Sequence, residues 1–159
     1  MKLTTFLLMP IQDKATFFIN FFLCGIARAL INLFGYKKLY PYFGYQCRML
    51  NASTLISKQQ MEQSIRIRRS IRLAARYTPW NSNCLTKAMV AALWCNYYKI
   101  PYLFFIGIAK KSEKPLGQDA HAWVTSGSIA ITGEHSFNSY QVISTYSNST
   151  VFKDITCTK

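Results

Sequence analysis

The chain has 159 residues, half of them apolar and 15% aromatic, which suffices for a domain with a hydrophobic core and excludes a disordered chain. Nineteen Lys and Arg residues against six Asp and Glu residues give a formal net charge of +13. Residues 1–80 carry most of this excess, with twelve basic and two acidic side chains. The positive charge of the N-terminal half either binds an anionic partner (acidic peptide, nucleic acid or anionic lipid) or mainly increases solubility.

The five cysteines, at positions 24, 47, 84, 95 and 157, show no CxxC pair and no close Cys/His spacing. This pattern favours neither a zinc site nor a disulfide framework, and free thiols are typical of the reducing cytoplasm. Nothing in the sequence resembles a Gly-rich phosphate loop, so these residues give no argument for an ATP requirement. We expect no metal and no cofactor. The short apolar run at residues 3–9 meets Pro10 and no cleavage pattern, so we expect no signal peptide.

Residues 14–36 are the most apolar stretch and have the length of a helix. Arg28 lies inside this stretch, and a charge is costly within a bilayer. We therefore predict a buried or partner-covered helix, with peripheral membrane contact as the alternative. A basic and aromatic connector follows at residues 36–45, where Pro41 and Gly44 break regular structure.

Residues 55–77 predict a second helix, in which apolar positions alternate with arginines. Such a helix either binds phosphates or an acidic peptide, or presents a solvated face whose long side-chain stems cover apolar surface. The sequence offers no recognition-helix context, so we predict no nucleic-acid binding. The arginines are Arg66, Arg68, Arg69, Arg72 and Arg76.

A third helix is predicted from Cys84 onward. Its apolar positions recur at the spacing of one buried face: Leu85, Ala88, Met89, Ala92 and Leu93. Pro79 ends the preceding segment, and Ser82 or Asn83 can cap the first turn. Cys84 then lies at the helix N-terminus, where the helix dipole stabilises a thiolate. Cys84 is a candidate nucleophile or, alternatively, a small buried apolar residue.

After this helix the pattern changes to strands. Residues 102–109, 120–125, 128–132 and 140–147 are strand-like, and Ser126-Gly127 is predicted as the turn of a hairpin. Residues 148–159 read as a polar tail. A helix followed by an antiparallel meander predicts an α+β fold.

The chain has two histidines. His121 begins a strand and is flanked by Ala120 and Ala122, which leave room beside the imidazole, whereas His135 reads as a solvated loop residue. A cysteine at a helix N-terminus and a histidine on a later antiparallel strand form the layout of papain-like and transglutaminase-like catalysis.

Three segments together resemble the lasso-peptide biosynthesis leader peptidases, the protease half of the lasso B proteins in the transglutaminase-like superfamily. They are Pro79-Trp80-x3-Cys84-Leu85-x2-Ala88, Ile106-Gly107-Ile108 and Ala120-His121-Ala122-Trp123-Val124. The resemblance implies a papain-like core, with the nucleophile helix packed on an antiparallel sheet. It implies a helical, basic N-terminal region at 1–76 and a catalytic domain at 77–159.

The resemblance also implies a Cys-His-Asp triad, in which Cys84 matches the nucleophile and His121 the base. The third member does not carry over cleanly. With a two-residue turn at Ser126-Gly127, Thr132 would lie opposite His121 and Glu134 would be its diagonal neighbour. Glu134 is therefore the candidate that orients His121, and Asp119, Thr132 or no third residue remain alternatives. Asn81, Ser82 and Asn83 are near enough in sequence to supply a second oxyanion donor, although capping explains them equally well.

By resemblance, the chain is a cytoplasmic cysteine peptidase that cuts the leader from a ribosomally made lasso-peptide precursor. A separate synthetase then closes the macrolactam ring. We expect no leader-binding segment within these residues, so the resemblance implies a separate recognition protein that could dock on residues 1–76. Two alternatives remain open: acyl transfer to an amine on the same Cys-His scaffold, and a non-catalytic basic module that binds peptide or membrane.

Overall fold

The computed structural model describes residues 10–47, 53–110, 120–133, 136–148 and 157–158. The described helices are α1 (Ile11–Phe34), α2 (Tyr36–Leu39), a 3-10 turn (Tyr40–Phe43), α3 (Lys58–Ala75), α4 (Cys84–Tyr97) and α5 (Ser136–Ser139). The three long helices match the three that the sequence predicts.

The strands form a single sheet in the order β4-β3-β2-β5-β1-β6. They are β1 (Tyr45–Cys47), β2 (Leu103–Ala109), β3 (Ala120–Ser126), β4 (Ile129–Thr132), β5 (Tyr140–Ser147) and β6 (Cys157–Thr158). Every described pairing is antiparallel. The predicted α+β class, with a helix followed by an antiparallel sheet and an N-terminal helix, is confirmed.

The two faces of the sheet have different neighbours because side chains alternate along a strand. Ala122 and Val124 of β3 belong to the main core, which they share with buried residues of α1, α3 and α4. Trp123 points to the other face and packs with Leu103 and Phe105 in a second cluster. The helices therefore cover one face of the sheet. The main core combines residues from both sides of the predicted 76/77 domain boundary, which itself stays a prediction.

A buried asparagine ties α1 to the other two long helices. Asn20 has no exposed surface. Its amide nitrogen donates to Ser70 Oγ of α3 at 3.0 Å, and its oxygen accepts a hydrogen bond of 2.7 Å from Trp94 Nε1 of α4. Both ends of a buried amide are thus satisfied across helices, which fixes the position of α1.

The outer side of α1 remains apolar and exposed. Its exposed large side chains are Ile11, Phe18, Ile19, Phe22, Ile26, Leu33 and Phe34. Over Asp13–Phe34 the helix is long and apolar enough to cross a bilayer by length and composition, a test that core helices of soluble proteins also pass. Burial of Asn20 shows that the inner side of α1 is occupied by the rest of the protein.

The predicted hairpin register is wrong. The turn is Gly127-Ser128, with Gly127 at a φ of +54°, and Ser126 pairs with Ile129. The register then shifts, so that Thr132 pairs with Val124 rather than with His121. Glycine at the first central position favours this turn. The register shift between Val124 and Thr125 adds one unpaired residue to the β3–β4 ladder, as a β-bulge does.

The predicted polar tail at 148–159 is also wrong in two places. The Asn148 side chain accepts from the Tyr102 main-chain N–H at 3.0 Å and donates to the Ile100 carbonyl at 3.1 Å. Residues 157–158 form β6, which pairs with β1 at the sheet edge. β6 could not be predicted from the sequence, because two residues are too few to show a period.

Candidate active site

Cys84 is the first residue of α4, as predicted. Asn83 is the N-cap: its Oδ1 accepts from the Thr86 main-chain N–H at 2.9 Å and from Thr86 Oγ1 at 2.9 Å. Cys84 is half-buried, whereas Cys24, Cys47 and Cys95 are buried. The thiol is thus a reachable sulfur at the positive end of a 14-residue helix.

The segment before Cys84 is held by α1. The Thr78 and Ser82 hydroxyls are 2.8 Å apart, and the Ser82 side chain offsets part of the rise that burial causes in the pKa of Cys24 of α1. Trp80 lies against Gly25, where a Cβ would be 2.8 Å from the indole ring. The Pro79-Trp80 element of the sequence pattern therefore docks the chain on α1 and sets the direction in which α4 begins.

The N-terminus of α4 meets the first residues of β3. Cys84 Sγ lies 4.0 Å from the carbonyl oxygen of Ala120, to which it can donate a long hydrogen bond. His121 is the next residue of β3. The Cys84 thiol therefore approaches the main chain of β3 one residue before His121. Among the described residues no hydrogen bond joins Cys84 to His121, so a Cys84–His121 dyad stays a prediction.

His121 is held within an aromatic stack on the sheet face away from the helices. Its ring lies 4.6 Å from the Tyr140 ring at 19°, and 5.9 Å from the Trp123 ring at 26°. Gly107 pairs with His121 on the neighbouring strand. A Cβ there would lie 2.7 Å from the Gln141 carbonyl oxygen and 2.9 Å from the Trp123 ring. Glycine is therefore required where these rings cross β2.

The imidazole lies in an environment that favours its neutral form. Burial lowers the pKa of His121, and the positive charge of Lys87 lowers it further. Lys87 lies one turn after Cys84 on α4, so the cation that acts on the histidine belongs to the nucleophile helix. A neutral imidazole can accept the proton of a thiol, as a general base must.

The remaining candidates fall into two groups. Glu134, Asp119 and His135 lie outside the described residues. The Thr132 hydroxyl accepts the Val124 main-chain N–H at 3.0 Å, and Thr132 is three residues from His121 along the ladder. The Thr132 hydroxyl thus stabilises the pairing of β3 with β4 and is not positioned to orient His121. Among the described residues no group of three His, Cys, Asp or Glu side chains could hold a metal.

The candidate oxyanion donors next to Cys84 have other partners. The Asn83 side-chain oxygen is the helix cap, and the Ser82 hydroxyl is bonded to Thr78. Trp123 is fully buried, so it is a core residue and does not line a cleft. The main-chain N–H groups of Cys84 and Leu85, which precede the capped Thr86 N–H, are the candidate donors by helix geometry.

The sequence analysis did not place Gly107, Tyr140 or Lys87 near His121, although Gly107 lies in one of the segments that carry the resemblance. A glycine inside an apolar strand signals a close approach of other groups, so Gly107 was detectable. Tyr140 and Lys87 gave no such signal, because their positions depend on how β5 and α4 pack against β3.

Comparison with known families agrees with this geometry. A family model described as transglutaminase-like superfamily matches residues 31–145, which is more than two thirds of the chain and includes both Cys84 and His121. The chain belongs to the transglutaminase-like superfamily. Members of this superfamily are usually enzymes, either cysteine peptidases or transferases. No curated protein and no solved structure shows significant similarity to the chain.

Proposed function

We propose that this member of the transglutaminase-like superfamily is a cysteine peptidase that removes the leader from a lasso-peptide precursor. The observation that carries the proposal is the junction at which the capped N-terminus of α4 places the Cys84 thiol 4.0 Å from the β3 main chain, beside His121. The Trp80, Cys84 and His121 sequence pattern supports the choice of a lasso leader as substrate.

In the proposed reaction, His121 takes the thiol proton and the Cys84 thiolate attacks the carbonyl carbon of the scissile peptide bond. The carbonyl oxygen becomes an oxyanion, which the Cys84 main-chain N–H stabilises. The C–N bond then breaks, and the His121 imidazolium gives its proton to the departing amine. The leader is left as a thioester on Cys84.

The second half of the reaction uses water. His121 removes a proton from water, the hydroxide attacks the thioester carbonyl, and the C–S bond breaks. The leader leaves with a free carboxylate and the Cys84 thiol is restored. Glu134 is the proposed residue that orients His121, with Asp119 or a dyad as the alternatives.

The proposed setting is a split system in the cytoplasm. A separate protein recognises the leader, and a separate synthetase closes the ring on the freed amine. The exposed apolar side of α1 and the basic residues of the N-terminal half are the surfaces proposed for docking. Peripheral membrane contact through residues 14–36 is the competing use of the same surface.

Product analysis tests the proposal. The precursor from the same gene neighbourhood is incubated with its recognition protein and this enzyme, with and without an added primary amine, and the products are weighed by mass spectrometry. A peptidase releases a leader with a free carboxylate in both mixtures. A leader conjugated to the added amine would instead indicate a transferase. An intact precursor, with the recognition protein shown to bind it, would favour the non-catalytic module.

A further inference from the structure

A basic cleft opens beside the candidate active site. It lies between α3, the start of α4 and β4, and has a volume of about 380 Å³. Arg68 and Arg72 of α3 and Arg76, the residue after α3, line it at four-residue intervals. Lys87 of α4 also lines the cleft.

The cleft is suited to a carboxylate. Arginine presents a planar fork that binds a carboxylate through two parallel hydrogen bonds, and lysine adds a point charge. The hydroxyl-bearing residues Ser82 and Thr132 also line the cleft and give it polar walls. Its volume is in the range of small-ligand sites, so an acidic side chain and part of its main chain fit.

The cleft adjoins the N-terminal part of α4, which carries Cys84. Ser82 lies two residues before Cys84, and Lys87 lies one turn after it. Lys87 lines the cleft and also acts electrostatically on His121. A substrate side chain bound in the cleft would therefore belong to a residue only a few positions from a scissile bond held at Cys84.

We propose that this cleft is a specificity subsite that receives an acidic side chain of the peptide substrate, a few residues from the scissile bond. The inference rests on the proposed peptidase function and adds the chemical class of its substrate. Arginines on another side of α3 serve as an internal comparison, because Arg66 and Arg69 line a separate groove with Asp13.

Binding tests the subsite independently of cleavage. The full-length Cys84→Ala protein is titrated with two fluorescein-labelled dodecapeptides of Gly and Ser, one carrying three Glu residues and the other three Gln residues at the same positions. Fluorescence anisotropy at physiological salt gives both affinities. We expect the Glu peptide to bind about 10-fold more tightly, as complementary charges in a partly desolvated cleft allow.

Matched substitutions locate the effect. Arg72→Gln and Arg76→Gln should each reduce the preference for the Glu peptide to about twofold or less, because each removes a cation of the cleft. Arg69→Gln removes the same charge from the same helix outside the cleft and should leave the preference within about twofold of the parent. All three residues are exposed, so the fold should persist, and thermal unfolding checks that it does.

The pKa of His121, measured by NMR, reports where the Glu peptide binds. The chain has two histidines, so the imidazole resonances are readily assigned by NMR. A carboxylate beside Lys87 offsets the cation that depresses the pKa of His121. The Glu peptide should therefore raise the pKa of His121, and the Gln peptide should not.

The outcomes separate the two hypotheses. Equal affinity for the two peptides, no binding of either, or an equal loss in Arg69→Gln would overturn the subsite, whether or not the enzyme cleaves precursor. Tighter binding of a single-stranded RNA of 12 nucleotides, lost in Arg72→Gln, would also overturn it in favour of a nucleic-acid cleft. A Glu preference that depends on Arg72 and Arg76 would support the subsite even if the proposed peptidase activity failed.

Discussion

The imidazole of His121 stacks on the phenol ring of Tyr140, with centroids 4.6 Å apart and planes inclined by 19°. The two residues lie on strands that both pair with β2, and the rings meet across Gly107, which has no side chain to separate them. The candidate base is therefore positioned by the sheet, whereas the candidate nucleophile is positioned by the helix.

This stack makes Tyr140 a positioning residue for the proposed reaction. Tyr140→Leu removes the aromatic face, so the imidazole gains orientational freedom and kcat for precursor cleavage should fall about 10-fold with little change in KM. Tyr140→Phe keeps the ring and should retain near-parental kcat. Equal losses in both variants would assign the effect to the hydroxyl, and a change confined to KM would assign it to substrate binding.

The cysteines should differ in their reaction with iodoacetamide. Cys84 is half-buried at a helix N-terminus, whereas burial raises the pKa of Cys95 to about 12 and also raises the pKa of Cys24. In the folded protein at pH 7.5, Cys84 should be alkylated at least about 10-fold faster than Cys24, Cys47 or Cys95. Peptide mapping by mass spectrometry gives the order. Faster labelling of Cys24 than of Cys84 would contradict the placement of both thiols.

The stability of the protein should depend on pH through His121. Its folded pKa is depressed below the ordinary value of 6.5, so the unfolded chain binds more protons at pH values just below 6.5. The free energy of unfolding should therefore fall as the pH drops below 6.5 through the folded pKa, and this contribution is fully present above 6.5.

Substitutions check the cause of this dependence. His121→Gln should flatten the dependence measured by urea denaturation at several pH values. Lys87→Gln removes the nearby cation and should raise the pKa of His121 observed by NMR, although burial, the larger cause, remains. An unchanged pKa in Lys87→Gln would show that the cation does not act on the imidazole.

The Asn20 link should matter for the attachment of α1. Asn20→Ala removes the partner of Trp94 Nε1 and of Ser70 Oγ in a buried site, so the free energy of unfolding should fall by about 1–3 kcal/mol. Asn32→Ala lies on an exposed position of the same helix and should change stability by less than about 0.5 kcal/mol. Urea denaturation measures both. Equal losses would mean that the buried network contributes nothing specific.

Local patterns in the sequence were sufficient for the nucleophile helix. Pro79, the capping Asn83 and the apolar spacing after Cys84 all act within a few residues, so they predict where α4 begins and which of its residues is the thiol. The long apolar run around Leu103–Ala109 likewise predicts a buried strand, since burial on both faces leaves no alternation to misread.

Features that depend on pairing between distant segments could not be predicted in this way. The register of β3 with β4 depends on a shift between Val124 and Thr125, and a shift of this kind has no sequence signature of its own. The same holds for the approach of Tyr140 to His121, which requires two strands to flank β2. The hairpin prediction placed Thr132 opposite His121 because it put the turn one residue too early and assumed a regular ladder.

A timed cleavage assay tests directly whether Cys84 is the nucleophile of a leader peptidase. Precursor and its recognition protein are incubated with the parent enzyme, with Cys84→Ala, and with Cys95→Ala as a matched thiol control, and leader release is followed by mass spectrometry. We expect the parent enzyme and Cys95→Ala to release the leader, and Cys84→Ala to release none. Equal release by Cys84→Ala and the parent would contradict this role of Cys84.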